Sequence, residues 1–547
     1  MKMTGAQLII KCLEEEGVNT IFGYPGGANL PFLDALRDNT QINFILTAHE
    51  QGAAHSADGY ARASGKIGVC AATSGPGATN LVTGLATAYM DSIPVVALTG
   101  QVATNMVGKD AFQEVDITGI TMPITKHNFL VKDPQLLAGT LRLAFQIAKS
   151  GRPGPVLVDV PRDVQTALVE YRKGALPGLK PHRPDDKQVQ KAIEAINKAK
   201  RPVMLIGGGV INANTEYDAM DLAEKLDIPV VNTLMGKGAC SDYRHRGLGM
   251  TGMHGHTKAN KAVKAADLIM AFGSRFNDRS AFDESSYTDK KTIIHMDIDP
   301  AEIDKNIYSE IGITGDMKMT LNSLTAACEP KDLSEWWKLI DSFPSWVDDA
   351  HKEQAPQYMT ALSRVLKDKP FVVTTDVGQH QMWAAQHLYI QFARQWITSG
   401  GLGTMGFGLP AALGAQLAYP EKRVISLSGD GGFKMTGSEL YTIASYQLPI
   451  IAIVFNNHGL GMIRQLQNAM FGGRHTACEM PAPMDFVKYA ESFGVQGTHV
   501  NTPEALAKAV EGALQEKKPY LIEVAVNPAE MVTPMVATSK GLGAMIK

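Results

Sequence analysis

Apolar and polar positions alternate along this chain in two rhythms. Short apolar runs, of strand length, are separated by longer stretches with apolar residues every three or four positions. That grammar predicts α/β layers built on parallel sheets. NFILTA (43–48), IGVCAAT (67–73) and IPVVALT (93–99) read as buried strands, and GPVLVDVP closes the first region near Pro161. A second region carries PVMLIGGG, PVVNT, LIMAFGS and TIIHMDID, and a third runs from PFVVTTDVG to YLIEVAV. The expected fold is three doubly wound parallel-sheet α/β domains at 1–170, 188–328 and 358–528, with a tail or lid at 529–547. A Pro/Lys/Asp-rich linker spans 171–188. The stretch 329–358, charged and Trp-bearing, reads as a helical connector more than as core. The first and third regions share length and strand–helix order, which suggests a loose internal duplication.

At the N-terminus, Leu8, Ile9, Cys12 and Leu13 share one helix face. Thr4 with Gln7 forms a capping-box pattern, so the segment reads as a folded helix and not a signal peptide. No apolar run is long enough to span a membrane.

The chemistry gathers where strands give out. In VISLSGDGGFKMTGSELYTIASYQLPIIAIVFNNHGLG (424–461), one apolar strand ends in Gly429-Asp430-Gly431 and the next in Asn456-Asn457. SELYTIASYQ between them is helical in pattern. A right-handed strand–helix–strand crossover puts both strand ends on one edge of the sheet, where open α/β sheets bind ligands. An Asp carboxylate, an Asn carbonyl and a loop carbonyl are hard oxygen donors suited to Mg²⁺ or Ca²⁺, and Mg²⁺ completes its octahedron with phosphate oxygens. Gly429, Gly431 and Gly432 would let backbone amides approach such phosphates. This spacing resembles the thiamine-diphosphate binding motif, which implies Asp430, Asn457 and the Gly459 carbonyl as metal ligands.

That chemistry needs a carboxylate against the cofactor's pyrimidine. HEQGAAHSADGYARASG supplies Glu50 just past a strand, opening an Ala-rich helix. A glutamate there would be partly desolvated, as proton exchange with a pyrimidine requires. Glycine-rich turns follow two other strands: GYPGGAN (23–29), with Gly26 and Gly27, and TSGPGATN (73–80), with Gly75. Each suits close backbone approach to a cofactor, and each alone is an ordinary turn.

Taken together, FGYPGGA, HEQGAAHSADGYARASGK, TSGPGATNLVTGLATAYMDSIPVVALTGQV, DAFQEVDITGI, SRFNDR, HMDIDPAEI, TTDVGQHQMWAAQ and GLGTMGFGLPAALGAQ resemble the catalytic subunits of the acetohydroxyacid (acetolactate) synthase family, over about residues 4–530. The resemblance implies decarboxylation of pyruvate and transfer of its two-carbon unit to a second 2-oxo acid, pyruvate or 2-oxobutanoate. It implies thiamine diphosphate, Mg²⁺ and an FAD with no redox role. Glu50 would activate the pyrimidine and Met405 would hold the cofactor bent. Phe112 and Gln113 would line the reaction pocket, and Arg279 would hold the acceptor's carboxylate. Gln379, His380, Gly403 and Met462 match cofactor contacts, whereas Arg162 stands where some relatives have Lys. FAD would lie against Gly207, Gly208, Gly252, His254, Arg275 and Asp297. Relatives also imply a homodimer or homotetramer with sites at subunit interfaces, and a possible small regulatory subunit. Leu466 replaces the family's tryptophan, Asn277 its usual aspartate, and PMVATSKG (534–541) lacks its Pro-Pro-Gly. Another FAD-bearing enzyme of the same cofactor, such as a pyruvate oxidase or an oxo-acid decarboxylase, is the alternative. A third reading is a silent paralogue that acts through assembly alone.

Composition adds bounds. At 547 residues the chain exceeds one core. A formal charge of −3 gives no footprint for nucleic acid or anionic membrane. Five dispersed cysteines without a CxxC suit reduced thiols in the cytoplasm, with no metal or disulfide among them.

Overall fold

A computed structural model describes residues 2–174, 176–281, 284–344 and 353–536, with the backbone of 545–546. The first domain contains β1 (Lys2–Thr4), β2 (Thr20–Gly23), β3 (Asn43–Leu46), β4 (Gly68–Ala72), β5 (Val95–Gln101), β6 (His127–Leu130), β7 (Val156–Pro161) and β8 (Leu168–Glu170). Six of these form a parallel sheet in the order β3-β2-β4-β5-β7-β6. The remaining two, β1 and β8, pair antiparallel and tie the ends of the domain together. The capping box forms as expected: Gln7 N donates to Thr4 Oγ1 at 3.2 Å and Thr4 N to Gln7 Oε1 at 3.0 Å. NFILTA is not fully buried, because β3 is an edge strand and Leu46 is 43% exposed.

The middle domain holds β9 (Pro202–Ile206), β10 (Val230–Asn232), β11 (Gly247–Met250), β12 (Leu268–Phe272), β13 (Thr292–Asp297) and β14 (Ile311–Thr314). Their order is β11-β10-β9-β12-β13-β14, all parallel. This is the 3-2-1-4-5-6 arrangement of dinucleotide-binding sheets, with its switch point between β9 and β12. The Trp-bearing stretch belongs partly to this core and is not a mere connector. Trp336, on the helix Ser334–Asp341, is 2% exposed, and its indole N–H donates to Pro202 O at 3.0 Å. Burying an indole with its N–H satisfied outweighs the charge of the surrounding sequence.

The last domain holds β15 (Phe371–Thr375), β16 (Trp396–Ile397), β17 (Arg423–Gly429), β18 (Ile451–Asn456), β19 (Gln496–Val500) and β20 (Tyr520–Ala525), ordered β16-β15-β17-β18-β20-β19 and all parallel. Counted within each six-stranded sheet, the first and third share one strand order, 2-1-3-4-6-5. The duplication suggested by their grammar is thus present as topology. The short strands β21 (Met535–Val536) and β22 (Met545–Ile546) pair antiparallel beyond them.

The two duplicated domains join through the helices Glu50–Ser64 and Gly408–Ala418. Residues 52–63 are all buried, so this helix is a central one despite its polar residues. Small residues allow close crossing: a β-carbon on Gly59 would overlap Ala411 O, and one on Gly414 would overlap Ser56 O. The tail does not fray where it is described. Val532 is fully buried, Gln465 Nε2 donates to its carbonyl at 2.9 Å, and Val536 N donates to Met253 O at 2.8 Å. Residues 537–544 and Lys547, which include most of PMVATSKG, lie outside the described residues.

Candidate active site

The GDG and NN segments meet as their spacing predicts. Gly429 pairs with Phe455 across β17 and β18, so Asp430 follows beside Asn456 and Asn457 comes next. Asp430 is 3% exposed; Oδ1 accepts from Gly431 N and Oδ2 from Gly459 N, each at 2.9 Å. Asn457 Nδ2 donates to Gln379 Oε1 at 3.0 Å, committing the amide nitrogen and sparing its oxygen. His458, at φ 56°, turns the chain back so that Gly459 returns to Asp430. Burial pushes the Asp430 carboxyl up to about 6, opposed by those two amides. A cation beside it would reverse that shift.

Next to this oxygen cluster, against Gly429, packs a buried imidazole. His380, in the first turn of the helix Gln379–His387, is 4% exposed and its Nε2 has no hydrogen-bond partner. Burial holds this imidazole neutral, its pKa down near about 3. A buried ring nitrogen without a partner calls for one, and a phosphate oxygen supplies it when the proton is carried there. Gly431 keeps the floor open. A β-carbon there would sit 2.6 Å from Leu460 Cδ2 and 3.5 Å from Met405 Cε, which places Met405 at the same spot. Gly432 packs on Asp376, a fully buried carboxylate at the end of β15. Asp376 accepts from Val377 N at 2.8 Å, Gly406 N at 2.9 Å and Gly408 N at 3.1 Å, fixing the loop that carries Met405. Sequence reasoning passed over Asp376, although it carries the signal that flagged Asp430: a carboxylate where a strand gives out.

The first domain builds a second half-site. Glu50 is 9% exposed and its Oε2 accepts from Asn80 Nδ2 at 3.0 Å. A β-carbon on Gly77 would lie 3.2 Å from Glu50 Oε1 and 2.8 Å from Thr73 Cγ2, and one on Gly26 would overlap Thr73. Gly26, Thr73, Gly77 and Glu50 therefore converge, with Gly27 open beside them. Gly75 adopts φ 57° and abuts the Gln113 backbone, whose own φ is 58°. Phe112 is 88% exposed. Among the described residues no hydrogen bond or ion pair joins Glu50 to the Asp430 cluster.

A cavity of about 1640 Å³ opens at the switch point of the middle sheet, larger than most single-ligand sites. Gly208, His254, Arg275, Arg279 and Asp297 line it. Gly207 and Gly252 stand behind the wall, where a β-carbon would strike Gly273 O or Arg279 O. Three buried polar atoms here lack partners: Ser274 Oγ, His254 Nδ1 and Glu302 Oε2. Ser274 opens the SRFNDR run and Glu302 lies within HMDIDPAEI, yet neither was singled out along the chain. Burial raises the Asp297 carboxyl to about 6, while burial and then the Arg279 charge lower His254 to about 4. The 171–188 linker is more than a tether, since Gly174, Leu176 and Pro177 form part of the wall. At its far end the cavity reaches Gly403, Met462 and Leu466, beside the Asp430 cluster. Arg279 is largely exposed and lies 3.7 Å from Asp278, so that ion pair adds little.

The sheet switch points, the oxygen cluster beside an anion cradle and the buried glutamate on a duplicated domain define a diphosphate-cofactor enzyme. Models of thiamine pyrophosphate enzymes match this chain in three parts: the N-terminal TPP binding domain at 3–120, the central domain at 189–324 and the C-terminal TPP binding domain at 376–524. A probable acetolactate synthase large subunit from Methanocaldococcus jannaschii is 48% identical over 98% of this chain and 93% of its own length. The acetolactate synthase large subunit of Parasynechococcus marenigrum is 45% identical over 100% and 91%. Acetolactate synthase isozyme 3 large subunit of Escherichia coli is 41% identical over 99% and 98%. The chain belongs to the acetolactate synthase large-subunit family of thiamine pyrophosphate enzymes. No helix among the described residues is long and apolar enough to cross a membrane.

Proposed function

We propose that this protein is an acetolactate synthase, which decarboxylates pyruvate and joins its two-carbon unit to a second 2-oxo acid to give 2-acetolactate. The observation that carries this reading is the Asp430–Asn457–Gly459 oxygen cluster beside the unpartnered His380 Nε2, in a chain so similar to large subunits of that name. When bound, thiamine diphosphate supplies the electron sink for loss of CO₂.

The chain's own residues do the rest. Asp430, the Asn457 amide oxygen and the Gly459 carbonyl would hold Mg²⁺, and His380 with the Gly432 amide would meet the diphosphate. Met405, on the loop that Asp376 steadies, would pack against the cofactor. Glu50 would hydrogen-bond a pyrimidine ring nitrogen and exchange a proton there. Gln113 and Phe112 shape the pocket from the same domain. Arg279, in the cavity wall, would bind the acceptor carboxylate, and Leu466 in place of the family's tryptophan would weaken the preference for 2-oxobutanoate as acceptor. FAD fits the middle cavity, whose orphan donors and acceptors suit its polar groups.

No hydrogen bond or ion pair joins the half-sites among the described residues of one chain, and Phe112 is exposed; both support a second copy completing each site, in a homodimer or a pair of dimers. The relatives' "large subunit" names support a small regulatory partner. Five buried, unpaired cysteines support a reducing, cytoplasmic setting. The test is incubation with pyruvate, Mg²⁺ and thiamine diphosphate, with and without FAD, followed by assay of 2-acetolactate as acetoin. Conversion of pyruvate to acetate or acetaldehyde without acetolactate would sink the reading in favour of an oxidase or decarboxylase.

A further inference from the structure

Ala48 and His49 link β3 to the helix that Glu50 opens. Their amides are taken by a carboxylate of the other duplicated domain, which no step above uses. Glu439 Oε2 accepts from Ala48 N at 3.1 Å, and Oε1 accepts from His49 N at 3.2 Å. Thr442 Oγ1 donates to Oε2 at 2.7 Å, and Glu439 is 1% exposed. Within the first turn of the Glu50 helix, a β-carbon on Gly52 would overlap Glu439 Oε1, so a larger residue there would push the carboxylate aside. Two adjacent amides and the first helical turn are thereby referenced to one carboxylate.

The arrangement recurs with the domains exchanged. Asp91 ends the helix Val82–Met90 of the first domain. Its Oδ1 accepts from Gly401 N at 2.7 Å and its Oδ2 from Gly400 N at 3.1 Å. Gly400 and Gly401 lie after β16, the counterpart of β3, in the loop leading to Met405. Each domain thus grips two consecutive amides in the loop after the other's second strand.

We infer that Glu439 is the positioning residue for Glu50, setting from the last domain of the same chain the angle at which Glu50 meets the cofactor's pyrimidine. This rests on the reading of Glu50 given above. Misplacing a reacting group by about 1 Å costs about 100-fold in rate, and this carboxylate supplies the loop's two adjacent acceptors.

The experiment uses the full-length protein with Mg²⁺ and thiamine diphosphate, and compares wild type with Glu439→Gln, Gly52→Ala and Glu50→Gln. Glutamine keeps the shape but replaces one acceptor with a donor facing an amide. Gly52→Ala displaces the carboxylate while leaving Glu439 in place, and serves if Glu439→Gln does not fold. The readouts are hydrogen–deuterium exchange at the bound cofactor's thiazolium carbon by NMR, cofactor Kd by calorimetry, and Tm. The expected result is exchange slowed about 100-fold with Kd unchanged in Glu439→Gln and Gly52→Ala. Unchanged exchange in the folded variants, with Glu50→Gln abolishing it, overturns the inference alone. Exchange and Kd failing together also overturns it, since that marks a general structural role. Full exchange in Glu50→Gln instead overturns the reading of Glu50 itself.

Discussion

The first and last domains share a strand order, yet they present different chemistry at matching strand ends. On the sixth strand each places a carboxylate at the fourth position, Asp159 in β7 and Glu523 in β20. Asp159 accepts from Thr99 Oγ1 at 2.7 Å and Gln101 Nε2 at 2.9 Å; Glu523 accepts from Asn456 Nδ2 at 2.7 Å. Gln101 and Asn456 occupy matching places, opposite Pro161 and Ala525. The scaffold carboxylate is kept while the loops beyond it diverge. In the last domain Asn456 goes on to accept from His458 N at 3.0 Å, shaping the turn that delivers Asn457 and Gly459. In the first domain Gln101 donates to Val115 O at 3.0 Å, tying down the segment that carries Gln113. One topology therefore carries the Asp430–Asn457 cluster in one domain and the buried Glu50 in the other, because loops diverge where rigid strands position them.

The contrast is sharpest if the halves can be disabled separately. Glu50→Gln should leave cofactor binding intact and lower turnover by about 10²–10⁴-fold, read by steady-state kinetics beside calorimetry. Equal loss of binding would break the division of labour. Asp430→Asn should act in the opposite sense, weakening Mg²⁺-dependent binding of thiamine diphosphate by about 100-fold. Binding unchanged by this substitution, or by chelation of the metal, would remove Asp430 from the ligand set.

The joint between the domains should respond less. Gly414→Ala places a β-carbon against Ser56 O, and overpacking of this kind costs about 1–3 kcal/mol. Calorimetry should show a lowered Tm; an unchanged Tm would mean that the helices separate freely.

The smallest effect concerns the scaffold carboxylate. Burial raises Asp159 to about 7, while Thr99 and Gln101 pull it back down. The unfolded chain titrates near about 4. Between about pH 4 and 7 the folded state holds a proton that the unfolded chain has released. Its stabilising contribution is complete below about pH 4 and is lost as pH rises through about 7. Asp159→Asn should flatten the fall in Tm between about pH 4 and 7, and an unaltered slope would exclude Asp159 as its source.

Much of this was legible along the chain. Strand and helix periods reported three parallel sheets, and carboxylate and carboxamide at successive strand ends reported the oxygen cluster. The capping box at Thr4 was equally readable, because its partners are three residues apart. Trp336 misled, since a charged neighbourhood says nothing about what lies across an interface. The sequence by itself determined the layers and the residues at each strand end, because those follow from local period and from crossover handedness. Only the tertiary structure decided that Glu439 reaches Ala48, that Asp91 reaches Gly400 and that Asp376 steadies the Met405 loop. Glu439 is 391 positions along the chain from Ala48. Such pairings carry no periodic signal, and they form only when two packed helices bring the domains into contact.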